Sequence, residues 1–355
     1  MKIVTICGMS EDKVRASLLP LAELDPVEKI FLVRRSPVPM AKVKSYSPPK
    51  ILGWSLFLTE VYRFIALFAV CVKEKPDCIY AIYFVPHGVY AAIIGRFLNI
   101  PVIEELIGTD RPLVNKSKFY QSLLAQAERI GVRGKSSKTN LSYLGLPDEK
   151  FFISKAVNAI DFDLFQPDQT QKIFDFVYVG RLDQNKQVHL IVDASYALQQ
   201  QYPDIKLLIV GDGPESSNLT DKVADYGITE SVHFAGKQKY EDIPNFLNQS
   251  RVFIMASAFE GLPVAMIEAL SCGLPVVMPD IGDISDIALD GYNALLIDEV
   301  SLDSYVKALS ELLTNQPLYR DLVKGALKTR EKFLAEYSLE SVKRSWHEIL
   351  LEIKA

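Results

Sequence analysis

Ala256 to Val277 reads ASAFEGLPVAMIEALSCGLPVV, and its punctuation decides the architecture. Ahead of it, Arg251–Met255 (RVFIM) is a short β-branched and apolar run of strand type, and Pro263 followed by VAMIEALSC to Cys272 has the pattern of a helix. Pro263 suits the first helical position, where its missing N–H costs nothing. Gly273 ends the helix and Pro275 prevents its return. The chain therefore runs strand, loop, helix, strand, the unit of a parallel α/β sheet.

Two carboxylates flank this turn with seven residues between them. Glu260 stands in the loop just ahead of the helix, and Glu268 about 8 Å further along its axis at roughly 1.5 Å per residue. Between them, the free N–H groups around Leu262 to Val264 form an anion site strengthened by the helix dipole, which makes Gly261, Leu262, Pro263 and Val264 donor-binding candidates. A sugar diphosphate fits, with phosphates on the amides, the sugar by Glu260 and the nucleoside ribose by Glu268. The plainer alternative makes Glu260 a helix cap and Glu268 part of a solvated face. Against it, Glu268 interrupts a helix that is otherwise Val264, Ala265, Met266, Ile267, Ala269 and Leu270, apolar on every side as in a buried element. A carboxylate there is costly unless it meets a cleft or a partner.

Ser257, Glu260, Gly261, Glu268, Ala269, Gly273 and Pro275-Val276-Val277 stand at the spacing of the E-x7-E signature of the retaining nucleotide-sugar glycosyltransferases of family 4 (group 1), which the segment closely resembles. The resemblance implies an α/β chain of GT-B architecture, two doubly wound parallel-sheet (Rossmann-like) domains facing a central cleft. It also implies that Glu260 contacts the transferred sugar and Glu268 the ribose hydroxyls. Upstream, the strand-like Phe174–Val179 runs into Gly180-Arg181-Leu182-Asp183-Gln184-Asn185-Lys186, which resembles the family's G-R-L-x-x-x-K. By that likeness Arg181 and Lys186 hold the donor diphosphate. The physical reason is that a glycine turn lets the backbone come close while two cations stabilise charge building on the leaving phosphate. Gly211-Asp212-Gly213-Pro214 is similar to the family's G-x-G-P turn. Val232–Ala235 with Gly236-Lys237-Gln238 resembles the strand and loop that receive the nucleobase.

Composition bounds the reading. A chain of 355 residues suggests about two domains, and 49% hydrophobic content with a net charge of −5 is that of an ordinary soluble protein. The cysteines Cys7, Cys71, Cys78 and Cys272 fall in apolar patterns without a C-x-x-C pair, which argues for buried thiols in a reducing compartment. MKIVTICGMSED lacks a long apolar h-region, so no secretory signal is expected there and the chain reads as cytoplasmic. Residues 1–170 carry 22 Lys and Arg against 17 Asp and Glu, and the remainder 17 against 27. The first half thus suits something anionic, a membrane surface or a phosphorylated acceptor. Nucleic acid is not expected, for want of a dense basic and aromatic stripe. Ile51–Val72, cut by Glu60 and Arg63, falls short of a transmembrane span. It reads either as a buried crossover helix or as an amphipathic helix lying on the inner face of a membrane, with Trp54, Phe57 and Phe64 as its apolar side.

Lys2–Cys7 reads as a buried strand, and short runs recur at Ile30–Val33, Cys78–Tyr83, Pro101–Glu105 and Arg129–Val132 with helical stretches between, again a parallel sheet whose ligands sit beyond the strands' carboxyl ends. Gly8 alone follows the first strand, so the G-x-G-x-x-G of a nicotinamide site is missing. His87 follows the strand CIYAIY at the expected cleft edge. Gly108-Thr109-Asp110 resembles the family's H-G-x-D with Ile107 at the histidine position. Gly8, His87 and Asp110 are the acceptor-side candidates. Asn158-Ala159-Ile160-Asp161 to Pro167 resembles the family's interdomain connection, and its Asp161-x-Asp163 reads as linker rather than metal site.

The expected domains are 1–157 for the acceptor, 158–170 as linker, 171–335 for the donor, and 336–355 as a terminal helix that crosses back to the first domain. The expected activity is retaining, metal-independent transfer from a UDP- or GDP-sugar to a hydroxyl of a glycan or lipid-linked acceptor, with no cofactor besides the donor. The alternatives are a non-catalytic nucleotide-sugar binding or assembly subunit, and a nucleotide-sugar epimerase of the same fold.

Overall fold

The computed structural model describes residues 1–49, 55–107, 110–155 and 160–354. In chain order these form β1 (Lys2–Ile6), α1 (Glu11–Ala22), β2 (Lys29–Val33), β3 (Val43–Tyr46), α2 (Leu56–Glu74), β4 (Cys78–Ile82), α3 (Val89–Leu98), β5 (Val102–Glu105), α4 (Asp110–Lys116), α5 (Lys118–Leu124), β6 (Arg129–Val132), α6 (Lys135–Thr139) and β7 (Phe151–Ile153). There follow β8 (Phe174–Val179), α7 (Val188–Gln199), β9 (Leu207–Val210), α8 (Ser216–Asp225), β10 (Val232–Gly236), α9 (Ile243–Asn248), β11 (Ser250–Ile254), α10 (Val264–Ser271), β12 (Val276–Pro279), β13 (Ala294–Ile297), α11 (Leu302–Thr314), α12 (Gln316–Glu336) and α13 (Leu339–Lys354). The chain divides into two compact units, Met1–Ala159 with Tyr337–Ala355, and Ile160–Glu336.

The first unit holds a seven-stranded sheet in the order β3-β2-β1-β4-β5-β6-β7, all parallel. Its central strands are near-continuous apolar runs because helices cover both faces. Alternate residues of β1 and β4 divide between the two: Ile3, Cys78 and Tyr80 pack toward α1 and α13, while Val4, Ile6, Ile79 and Ala81 pack toward α2 and α3. Trp346 of α13 meets Tyr80 edge-on, ring centroids 4.8 Å apart. Ser338 caps that helix, its hydroxyl accepting from the Ser341 amide at 3.3 Å. The edge strands β3 and β7 are a finding the sequence pattern did not announce, since VKSY and FFI are half-buried segments with little of a core run.

In the second unit six parallel strands run β10-β9-β8-β11-β12-β13. The helix expected from Pro263 begins one residue later: Pro263 is its N-cap, with extended ψ of 124°, and Val264 the first helical residue. The proline ring still limits the entry, and Gly273, at φ +78°, ends the helix where L side chains are strained. The four cysteines are buried and unpaired. The Asp161 carboxylate accepts from the amides of Asp163 and Leu164 at 3.1 Å, closing a local turn. Trp54, Gly108, Thr109, Asn158 and Ala159, which the sequence singled out, lie outside the described residues.

Candidate functional site

In the second sheet, β9 and β10 lie to one side of β8 and β12 and β13 to the other side of β11, so strand order reverses between β8 and β11. Loops leaving the carboxyl ends of two such strands diverge and leave a crevice, the usual place for a ligand in an open α/β sheet. Gly180–Lys186 leaves β8 and Met255–Pro263 leaves β11, so the two motifs read from sequence flank this point. Asn185 ties them: its carbonyl accepts from the Ala258 amide at 2.8 Å and its Nδ2 donates to the Phe259 carbonyl at 3.0 Å. Beside that tie, Lys186 Nζ is ion-paired with Glu260 Oε1, both side chains largely buried. Arg181 is the looser cation, 69% exposed and 3.5 Å from Asp183.

Backbone contacts fix the rest of the rim. Gly180 N donates to the Val210 carbonyl at 3.0 Å, and Gly211 N to the Gly236 carbonyl at 2.9 Å, so three successive glycine turns lean on one another. A Cβ on Gly211, whose φ is +146°, would fall 1.8 Å from the Gly180 carbonyl oxygen. Lys237, just beyond Gly236, is exposed and helps to hold the Asp212 carboxyl below its usual range, behind hydrogen bonds from Ser216 and the Gly213 amide. On the other side the Asp283 amide donates to the Gly261 carbonyl at 2.8 Å. Leu262 is buried, and no side chain caps the α10 N-terminus at Pro263 and Val264.

Glu268, in the second turn of α10, is 6% exposed. Burial raises its carboxyl from the usual 4.5 to about 7, against a hydrogen bond from the Tyr240 phenol that favours the ionised form. Tyr240 was not singled out from the sequence. It stands just ahead of α9, and its ring packs on Phe165 with centroids 5.1 Å apart. Asn185 was also missed, although it lies inside the G-R-L-x-x-x-K segment.

The first sheet reverses between β1 and β4. Gly8 follows β1 and His87 lies in the turn after β4, and the two are in contact: a Cβ on Gly8 would lie 2.9 Å from His87 Cε1. His87 is buried, with Nδ1 3.1 Å from the Ile82 carbonyl. A carbonyl only accepts, so Nδ1 carries the proton and Nε2, which has no partner, keeps its lone pair. Burial first, then the charge of Arg63, push this imidazole down to about 3. Arg63, which in the sequence reads as a break in an apolar run, is buried, donates to the Cys7 carbonyl and pairs with Glu60 at 2.9 Å.

Asp110, the third acceptor-side candidate, is buried. Its carboxylate accepts from the amides of Phe84 at 2.9 Å, Val85 at 3.4 Å and Ile107 at 3.0 Å, tying the turns after β4 and β5 together. Nearby, Glu104 on β5 is buried with neither carboxyl oxygen bonded. Burial and then Asp110 push it well above the usual carboxylate range.

Residues 160–329 match the family model of glycosyl transferases group 1. Among curated proteins, the N-acetyl-alpha-D-glucosaminyl L-malate synthase of Bacillus anthracis is 23% identical over 80% of this chain and 78% of its own length. The UDP-Gal:alpha-D-GlcNAc-diphosphoundecaprenol alpha-1,3-galactosyltransferase of Escherichia coli is 24% identical over 78% of this chain and 76% of its own. Among solved structures, Anabaena HepE in complex with UDP superposes with a TM-score of 0.78 at 17% identity, over 99% of this chain and 100% of that one. Sucrose-phosphate synthase of Thermosynechococcus elongatus gives 0.79 at 17% identity, over 99% of each. The fold is GT-B, and all the residues expected on the donor side fall inside the matched segment.

Proposed function

We propose that this chain is a glycosyltransferase of group 1 and moves a hexose from a UDP- or GDP-sugar to a hydroxyl of a glycan or lipid-linked acceptor, with retention of configuration and without a metal ion, in polysaccharide or glycolipid synthesis at the inner face of a membrane. The observation that carries the reading is the Lys186–Glu260 pair at the reversal between β8 and β11, with the uncapped α10 N-terminus beside it. HepE has been crystallised with UDP and with UDP-glucose, which supports a nucleoside diphosphate sugar as donor.

In this reading the pair holds two reactive charges in check until the donor arrives. The diphosphate takes Lys186, with Arg181 swinging in from solvent and the α10 amides completing the anion site. Glu260, released, accepts from hydroxyls of the sugar and orients it. Glu268 accepts from the ribose hydroxyls, exchanging the Tyr240 phenol for them. As the bond from the anomeric carbon to phosphate breaks, Arg181 and Lys186 stabilise the charge on the leaving diphosphate. The acceptor hydroxyl attacks from the same face, and its proton passes to the departing phosphate oxygen. Gly211, Gly180 and Lys237 shape the floor under the nucleotide, and Gly8 and His87 the acceptor side.

The test is transfer from a panel of UDP- and GDP-sugars to glycan and lipid-linked acceptors, with the anomeric configuration read by NMR. A retained configuration and a rate indifferent to chelator are expected. An inverted product would contradict the proposed stereochemistry, and a rate abolished by chelator would contradict the metal-free leaving-group role of Arg181 and Lys186.

A further inference from the structure

The face of the first sheet covered by α2, α3 and α5 leaves apolar side chains in water that its neighbours do not bury. Leu56, Phe57 and Ile65 on α2, Phe97 on α3 and Phe119 on α5 are 68%, 74%, 59%, 76% and 61% exposed. The rings of Phe68 and Phe97 meet across the helices at 6.0 Å, so the stripe on α2 continues onto α3. On the opposite face, α1 and α13 expose only Leu19 and Leu351 among their large apolar residues. A contiguous apolar surface of this kind marks an interaction site.

Its charges say what covers it. Lys73, Arg96, Lys116 and Lys118 are exposed on α2 to α5, while no carboxylate of these helices is fully exposed among the described residues. Glu60 is paired with Arg63, Glu74 is half-buried, and the Asp110 carboxylate is taken up by backbone amides. The other face carries both signs, with Glu11, Asp12, Glu340, Glu348 and Glu352 exposed beside Lys13, Arg15 and Arg344. An apolar stripe on helices that expose cations and no carboxylate complements an anionic lipid surface, the aromatic and aliphatic side chains entering the headgroup boundary and the cations meeting lipid phosphates. No helix among the described residues is long and apolar enough to cross a membrane, so α2 would lie along one. Of the side chains expected to face lipid, Phe57 is free to do so, whereas Phe64 turns inward and packs edge-on against Tyr90 with centroids 5.4 Å apart.

We propose that the α2–α3–α5 face is a docking surface for an anionic phospholipid bilayer. α2 is the crossover between parallel strands β3 and β4, so its N-terminus lies at the carboxyl edge of the sheet; Arg63 agrees with this by reaching the Cys7 carbonyl at the end of β1. The apolar stripe therefore begins at the edge that holds Gly8 and His87 and runs about 28 Å along the helix. Docked this way, the chain presents that edge to an acceptor anchored in the same leaflet. The proposal extends the acceptor side of the reading above, and binding to vesicles without donor separates its failure from a failure of the donor assignment.

The test is co-sedimentation of the full chain with vesicles of phosphatidylcholine alone and of phosphatidylcholine mixed with phosphatidylglycerol. Binding to the mixed vesicles, weaker on phosphatidylcholine and reduced by salt, is expected. Phe57→Ser with Phe97→Ser should lower partition by on the order of tenfold, with an unchanged melting temperature because both rings are already in water. Lys73→Glu with Lys116→Glu should cost roughly 25-fold on the mixed vesicles only, at about fivefold per cation, and keeps the test open should the aromatic variant misfold. Failure to sediment with either vesicle, or binding untouched by the substitutions, would overturn the proposal. So would a concentration-dependent dimer lost in the Phe57/Phe97 variant without vesicle binding, because the face would then belong to a second copy.

Discussion

Glu268 shows most directly how a side chain can be costly for stability and useful for binding. Its carboxyl titrates near 4.5 when unfolded and near 7 in the fold, so between those values the folded state holds the extra proton. Stability should therefore fall as pH rises from 4.5 to about 7, and Glu268→Gln should remove that slope in pH-dependent melting. In the proposed reading the carboxylate accepts from both ribose hydroxyls, one on each oxygen, which requires its ionised form. The wild type should accordingly bind UDP or GDP more tightly as pH rises through about 7, relative to Glu268→Gln, in calorimetric titrations. His87 has the opposite sign: its folded value of about 3 lies below the usual 6.5, so stability is lost as pH falls from 6.5 toward 3, and His87→Gln should flatten that limb. At the ion pair, Lys186→Met and Glu260→Gln should each lower kcat by about a hundredfold or more. Glu268 was legible because an acid stands out in an apolar helix. Tyr240 and Asn185 were not, because their roles come from contacts across the sheet that no local period records.

At the scale of elements, the turns after β8, β9 and β10 are built on one another. Gly211→Ala would place a methyl 1.8 Å from the Gly180 carbonyl oxygen at a φ of +146°. We expect it to lower stability by about 2 kcal/mol or more and to weaken nucleotide binding through the displaced Gly180 turn, as read by denaturant unfolding and by UDP titration. The buried strands and α10 could be read from sequence because a continuous apolar run bounded by Pro and Gly fits little besides a buried strand or helix. Strands β3 and β7 could not, since an edge strand is half-solvated and its residues need satisfy only one neighbour. The amide partners of Asp110 were illegible for a related reason. The motif gave its chemistry, but the three amides that occupy its carboxylate come from turns after two different strands.

For the molecule as a whole, charge and pattern separated two α/β units before any coordinates, and the second was the easier to read. Its glycine turns, cations and paired carboxylates keep a fixed spacing because, in the proposed reading, a diphosphate demands it. The first unit would serve an acceptor with no such fixed shape, so Gly8 and His87 could be named singly from sequence while their contact emerged only in three dimensions. The central claim is that the reversal between β8 and β11 holds a nucleoside diphosphate through the α10 segment. Thermal stabilisation by UDP, GDP, ADP and dTDP, each on the wild type and on Glu268→Ala with no metal added, tests it most directly. The account predicts that UDP or GDP raises the melting temperature of the wild type and that the shift is lost in the variant. No stabilisation of the wild type by any of the four at millimolar concentrations, or an equal shift in both proteins, would contradict it.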